Sequence, residues 1–223
     1  VVIGSPDSID DLVAFAAGCD AVTLDHELVN LEALQRIEAA GGVVRPGPFT
    51  LAFAKDKAHQ RREFSAAGLP VPEFQEVATA ADIEAFAQRL GGWPVVVKAQ
   101  RGGYDGRGVW VIDGPDAAAN LAAEAGQRGV ALIAERFVRI RKELAVLVAR
   151  RPGGETAVYP VVETVQRDGI CHEVLAPAPV PDAVAERALE IGRRVAELTR
   201  ATGIVATELF WSETDEVLIN EIA

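Results

Sequence analysis

Two short apolar runs joined by a glycine-rich loop constrain this chain most. Pro94-Val95-Val96-Val97-Lys98-Ala99 is followed by Gly102-Gly103-Tyr104-Asp105-Gly106-Arg107-Gly108 and then by Val109-Trp110-Val111-Ile112. The runs are too short for helices and are bounded by turn residues, so they read as neighbouring strands. Glycines let successive backbone N–H groups close on an anion, and the strand-end Lys98 adds a point charge. A plain hairpin turn would also use glycines. Tyr104, Asp105 and Arg107 between them are not required by a turn and point to a lid over phosphates.

The 223 residues carry a formal net charge of −11 and are 49% hydrophobic. That composition suits a globular chain with an ample core. The acidic balance argues against non-specific binding to nucleic acid or to an anionic membrane surface. It still permits a local basic cluster of Lys98, Arg101 and Arg107. No apolar run approaches the ~18 residues of a membrane span, and no signal peptide is visible. Cys19 and Cys171 lie far apart, which favours reduced thiols and a cytoplasmic location over a disulfide scaffold. There is no methionine, and both ends resemble interrupted strands, so a fragment lacking sequence at each terminus is expected.

Residues 1–46 read as the tail of a βα domain: a helix from Ser8 to Ala17, a strand from Ala21 to Leu24, and a helix from Leu31 to Ala40 closed by Gly41-Gly42. Pro46-Gly47-Pro48 marks a linker. One helix is expected from about Leu51 to Ala67, then a strand from Glu73 to Val77. Thr79 and Asp82 form a capping-box pattern, and Pro115 opens another helix. Val130 to Val138 reads as a strand, and Glu143–Ala149 with Thr156–Glu163 as a hairpin. A long helix opens at Pro181, with Gly203 as its cap. The last segment reads as a hairpin of Ile204–Trp211 and Val217 onward.

A turn centred on Thr214-Asp215 would pair Ser212 with Val217, Phe210 with Ile219 and Glu208 with Glu221. Like charges directly opposite are destabilising unless a cation lies between them, and oxygen donors suit Mg²⁺. Asn220 offers a neutral oxygen beside them. A slipped register or a frayed end would dissolve the pair. Glu135 and Glu143 are either solvated turn charges or hydrogen-bonding groups for a base edge and a ribose. In the second case the backbone of Arg136, Phe137 and Val138 would serve the base.

These pieces, in this order, resemble the ATP-grasp superfamily: Lys57, Lys98, the glycine loop, Glu135-x-x-Val138, Glu143, Glu208 and Asn220-Glu221. The Gly-Gly-Tyr-Asp-Gly-Arg-Gly loop is similar to that of the 5-(carboxyamino)imidazole ribonucleotide synthase family, as are Thr23-Leu24-Asp25-His26-Glu27, Arg45-Pro46-Gly47-Pro48 and Leu69-Pro70-Val71-Pro72. The resemblance implies an α/β plus α+β architecture: an ATP-grasp fold preceded by the remnant of an N-terminal βα (Rossmann-like) domain. Residues 1–46 would be that remnant and 47–223 the ATP-grasp domain, with a small lobe at about 73–138 and a truncated large lobe at about 139–223.

The resemblance further implies ATP-dependent carboxylation of 5-aminoimidazole ribonucleotide with bicarbonate, with ATP and Mg²⁺ bound, in a cytoplasmic homodimer. Lys57 and Lys98 would hold phosphates under the backbone of Gly103, Gly106, Gly108 and Val109. Glu135, Arg136, Phe137 and Val138 would contact adenine, and Glu143 the ribose. Glu208 and Glu221 would ligate Mg²⁺ beside Asn220. Tyr104, Asp105 and Arg107 would face the ribonucleotide.

The chain departs from the family pattern at Gln166, where a His is common; a neutral amide can bond ATP but cannot be cationic. The glycine-rich segment and the Arg/His-rich segment that the family places before and after these residues are absent from the sequence. The fragment alone is therefore expected not to turn over. Other ATP-grasp ligases, of the formate-dependent glycinamide ribonucleotide transformylase or biotin carboxylase kind, and a non-catalytic nucleotide-binding module are the competing readings. His26 and His59 read as structural and solvated, and both cysteines as core or inert.

Overall fold

The structure, a computed structural model, describes residues 3–5, 7–103, 107–167 and 169–223. Tyr104, Asp105, Gly106 and Asp168 lie outside the described residues.

Two helices, α1 (Ile9–Ala16) and α2 (Leu31–Ala39), open the chain and pack on a small core around Leu34, Ile37, Val44 and Leu51. Ser8 and Asn30 cap them by accepting the N–H groups of Asp11 and Ala33. The strand expected at Ala21–Leu24 is reduced to a single parallel bridge, Val22 to Val44.

The helix expected from Leu51 to Ala67 is two helices, α3 (Pro48–Lys55) and α4 (Lys57–Ala66). Asp56 breaks it, with an extended backbone (φ −135°, ψ 103°) and a side chain that accepts His59 N–H at 2.9 Å. The Lys57 N–H then bonds Gln100 O at 2.9 Å, and Arg101 pairs with Asp56 at 2.7 Å. The break ties the start of α4 to the base of the glycine loop and sets Lys57 on the first turn of α4.

The first sheet has the order β1 (Phe74–Val77), β4 (Leu132–Arg136), β2 (Val95–Ala99), β3 (Val109–Ile112), all antiparallel. Helices α5 (Ala80–Arg89) and α6 (Pro115–Arg128) cover one face, burying Ile83, Phe86, Val95, Val97 and Leu121. Both bonds of the Thr79/Asp82 capping box are present.

The second sheet runs β10 (Val217–Ile222), β9 (Gly203–Ser212), β5 (Ile140–Arg150), β7 (Val162–Arg167), β8 (Ile170–Leu175), with β6 (Thr156–Val158) paired to β5. The strand expected over Thr156–Glu163 is interrupted after Val158, and β7 turns back as β8 instead. Helix α7 (Asp182–Leu198) lies on this sheet through Val184, Ala188, Ile191 and Val195. Gly192 allows the close approach, since a Cβ there would stand 2.6 Å from Val146 Cγ1. Gly203 does not cap α7: the helix ends at Leu198 with Thr199 as its cap, Arg200 takes the left-handed turn (φ 53°), and Gly203 opens β9. No helix among the described residues is long and apolar enough to cross a membrane.

Candidate functional site

The site lies between the uncovered face of the first sheet and the cavity face of β9 and β10. A cavity of about 520 Å³ opens there, a size typical of small-molecule sites. Val96, Val111, Phe137, Val138, Ile140 and Phe210 make it apolar in one part. Lys57, Lys98, Glu143, Glu208, Asn220 and Glu221 make it ionic in another, and Gln166 and Cys171 reach it from the β7–β8 hairpin. Cys171 is exposed, so it is not a core residue.

The carboxylate pair forms by a route the sequence does not announce. The turn is Glu213-Thr214-Asp215 with Asp215 left-handed (φ 69°), so Val217 pairs with Trp211 and Leu218 with Phe210, one residue off the expected register. A β-bulge between Ile219 and Glu221 then restores Glu208 opposite Glu221. Ile219 and Ile222 both belong to the core, while Asn220 and Glu221 both line the cavity. Without the extra residue, strict alternation would put Glu221 on the core face beside Ile219.

Two cations and a buried carboxylate brace the ionic end. Lys98 Nζ lies 2.9 Å from Glu135 Oε2 and donates to Asn220 Oδ1 at 3.1 Å. Arg61 Nε donates to Glu135 Oε1 at 2.8 Å. Glu135 is 2% exposed, which corrects its reading as a solvated charge. Its carboxylate serves Arg61 and Lys98 instead of standing free toward a base edge. Burial alone would raise its pKa, but Arg61 and Lys98 outweigh burial and hold it at about 2. Burial draws the Lys98 ammonium below its ordinary value, against the pull of Glu135. Lys57 pairs with Glu221.

The remaining carboxylates are short of positive charge. Burial, then Glu221 and Glu143, push Glu208 up to about 7. Burial, then Glu221, raise Glu143 as well. No group of three or more His, Cys, Asp or Glu side chains is arranged to hold a metal among the described residues. Glu208, Glu221 and Asn220 are nevertheless hard oxygen donors, with one cation, Lys57, paired to Glu221 and with Glu143 adding further negative charge, which fits a divalent cation bridged to an anionic ligand.

At the loop base, a Cβ on Gly103 would stand 2.7 Å from Arg107 O, so the two ends of the loop pass at a distance only glycine allows. A second cavity of about 260 Å³, lined by Glu27, Leu28, Lys57, Arg101, Gly102 and Gly103, shares Lys57 and Gly103 with the first. Val109 and Arg136 line the main cavity, and Arg136 also pairs with Glu73 and Glu216. His26 accepts Leu28 N–H through Nδ1, and His59 packs on Phe53 with ring centroids 4.8 Å apart. Sequence reasoning missed Arg61 and Gln60, fully buried polar residues of α4; their only signal is polarity on the helix face that also carries Phe64.

Residues 62–223 match the ATP-grasp domain family. Over its whole length the chain is 43% identical to an N5-carboxyaminoimidazole ribonucleotide synthase of Mycobacterium bovis, covering 52% of that protein. The chain spans about half the length of the curated relatives it matches. The carboxyaminoimidazole ribonucleotide synthase of Aspergillus clavatus complexed with ATP superposes with a TM-score of 0.89 at 32% identity, over 100% of this chain and 58% of that one. The same organism's enzyme in complex with ADP and 5-aminoimidazole ribonucleotide gives 0.87 at 30% identity, over 99% and 57%. The match covers the lysine strand, the bulged carboxylate hairpin and the helices behind them, and the chain belongs to the ATP-grasp family.

Proposed function

We propose that the chain binds ATP with Mg²⁺ between its two sheets and serves the ATP-dependent carboxylation of 5-aminoimidazole ribonucleotide. Bicarbonate is phosphorylated to carboxyphosphate, and its carboxyl group passes to the exocyclic amine, giving N5-carboxyaminoimidazole ribonucleotide, ADP and phosphate in purine biosynthesis. The observation that carries this reading is the cavity that joins an apolar slot to Lys57, Lys98 and the opposed Glu208 and Glu221. Identity of 43% to a relative of that name supports the choice of substrate.

In this reading adenine lies against Val96, Val111 and Phe210, with the backbone of Arg136 to Val138 at its edge. Glu143 takes the ribose. Lys57 exchanges Glu221 for phosphate oxygens, and Lys98 reaches them while Glu135 holds it. Glu208 and Glu221 hold Mg²⁺, which when bound neutralises charge developing on the transferred phosphoryl group. The backbone of Gly103, Gly106, Gly108 and Val109 closes over the phosphates and keeps water from carboxyphosphate. Tyr104, Asp105 and Arg107 meet the ribonucleotide. Gln166 contacts ATP from the facing hairpin. The enzyme in this reading is a cytoplasmic homodimer.

The test is ADP release by a protein carrying these residues at the relatives' full length. Release that requires bicarbonate and 5-aminoimidazole ribonucleotide together is expected. Release with formate and glycinamide ribonucleotide, or with biotin, would move the chain to another ATP-grasp ligase. Nucleotide binding without substrate-stimulated release would make it a binding module.

A further inference from the structure

The β-bulge leaves half-buried Asn220 out of the ladder register, and its backbone carbonyl needs a donor. The donor is Arg61 on α4: its Nη2 lies 2.6 Å from Asn220 O. The same guanidinium reaches Glu135 Oε1 at 2.8 Å through Nε and Gln60 Oε1 at 2.9 Å through Nη1. Gln60 is fixed in turn by donating to Phe53 O at 3.2 Å. Arg61 is 0% exposed and does not line the cavity. Glu135 belongs to the first sheet and Asn220 to the second, so one planar fork spans both.

We propose that Arg61 is a positioning residue: it locks the bulge that turns Asn220 and Glu221 into the site, and it sets their spacing from Lys98 through Glu135. The inference rests on the MgATP reading above. Arg61 touches no reacting group. Its effect passes through the Asn220 carbonyl to the metal-binding carboxylates, whereas Lys98 keeps its own direct pair with Glu135. Lysine cannot replace it, because an ammonium carries one charge at one point and cannot hold three acceptors in a plane.

The experiment compares ATP affinity with and without Mg²⁺ by calorimetry, for the unsubstituted chain, Arg61→Lys and Arg61→Met. In Arg61→Met the Lys98–Glu135 pair remains balanced, so that variant retains a neutral buried pair. Both variants are expected to keep a cooperative thermal transition. Metal-free ATP affinity is expected within about threefold of the unsubstituted chain, whereas the enhancement by Mg²⁺ falls about 10- to 100-fold, the range for losing a partner that orients metal ligands. An undiminished Mg²⁺ enhancement in either variant, or equal loss with and without metal, would overturn the role. Failure of both variants to fold would assign Arg61 to the core and also reject it. If the unsubstituted chain shows no Mg²⁺ enhancement, the MgATP reading itself falls, an outcome distinct from a defect confined to the variants.

Discussion

Glu208→Gln should stabilise the chain in the absence of divalent cations. Burial, Glu221 and Glu143 raise the Glu208 pKa from 4.5 to about 7. Below pH 4.5 the carboxyl is protonated whether the chain is folded or not, and it costs nothing. Between 4.5 and 7 the unfolded chain releases the proton and the folded chain keeps it, so stability falls as pH rises. Above 7 the penalty is complete, at about 3 kcal/mol for a shift of roughly 2.5 units. The amide carries no charge at any of these pH values and escapes the penalty. For a chain of this size that corresponds to a melting temperature roughly 5–10 °C higher at pH 8 and little change at pH 4.5. The assay is thermal unfolding at both pH values in EDTA, repeated with excess Mg²⁺ and ATP. With ligand present the order should reverse, because only the carboxylate holds the metal. A variant that is less stable than the unsubstituted chain at pH 8 in EDTA, or whose gain is the same at both pH values, would refute the claim of uncompensated charge.

Lys98→Ala should weaken ATP binding about 10- to 100-fold by calorimetry, the loss of a charged hydrogen bond, while Arg61 keeps Glu135 paired; unchanged affinity would remove Lys98 from the site. Asp105→Ala should spare ATP affinity and impair carboxylation of the amine in a full-length enzyme, and loss of ATP binding would place Asp105 with the nucleotide instead. Gly192→Ala should lower the melting temperature, because its Cβ would stand 2.6 Å from Val146 Cγ1 on β5 and overpacking of this kind costs about 1–3 kcal/mol; an unchanged transition would mean that α7 shifts freely on the sheet.

The elements legible in the sequence are those whose signal is local. Thr79 and Asp82, Pro115, and the valines around Lys98 act within a few residues, and each marks an element the structure contains. The Gln166–Cys171 hairpin was not legible, because every residue of β8 from Ile170 to Val174 is exposed and no apolar alternation marks it. Asp56 was not legible as a helix break, since its partners His59 N–H and Arg101 are supplied partly by a distant loop. The Glu208–Glu221 pairing was legible, but the expected register was one residue off at the turn. The bulge that compensates for it is held by Arg61, more than a hundred residues away in sequence, and no reading of the hairpin alone contains that contact. Glu135 shows the same limit. Its charge is visible in the sequence, whereas its commitment to Lys98 and Arg61 depends on strand pairing that brings β4 beside β2.

The most direct measurement is a crystal structure of the chain grown with ADP and Mn²⁺, read at the manganese absorption edge. An anomalous peak is expected between the Glu208 and Glu221 carboxylates, with phosphates within reach of Lys57 and Lys98 and the base against Val96, Val111 and Phe210. A nucleotide bound elsewhere, or metal bound away from both glutamates, would contradict the MgATP reading.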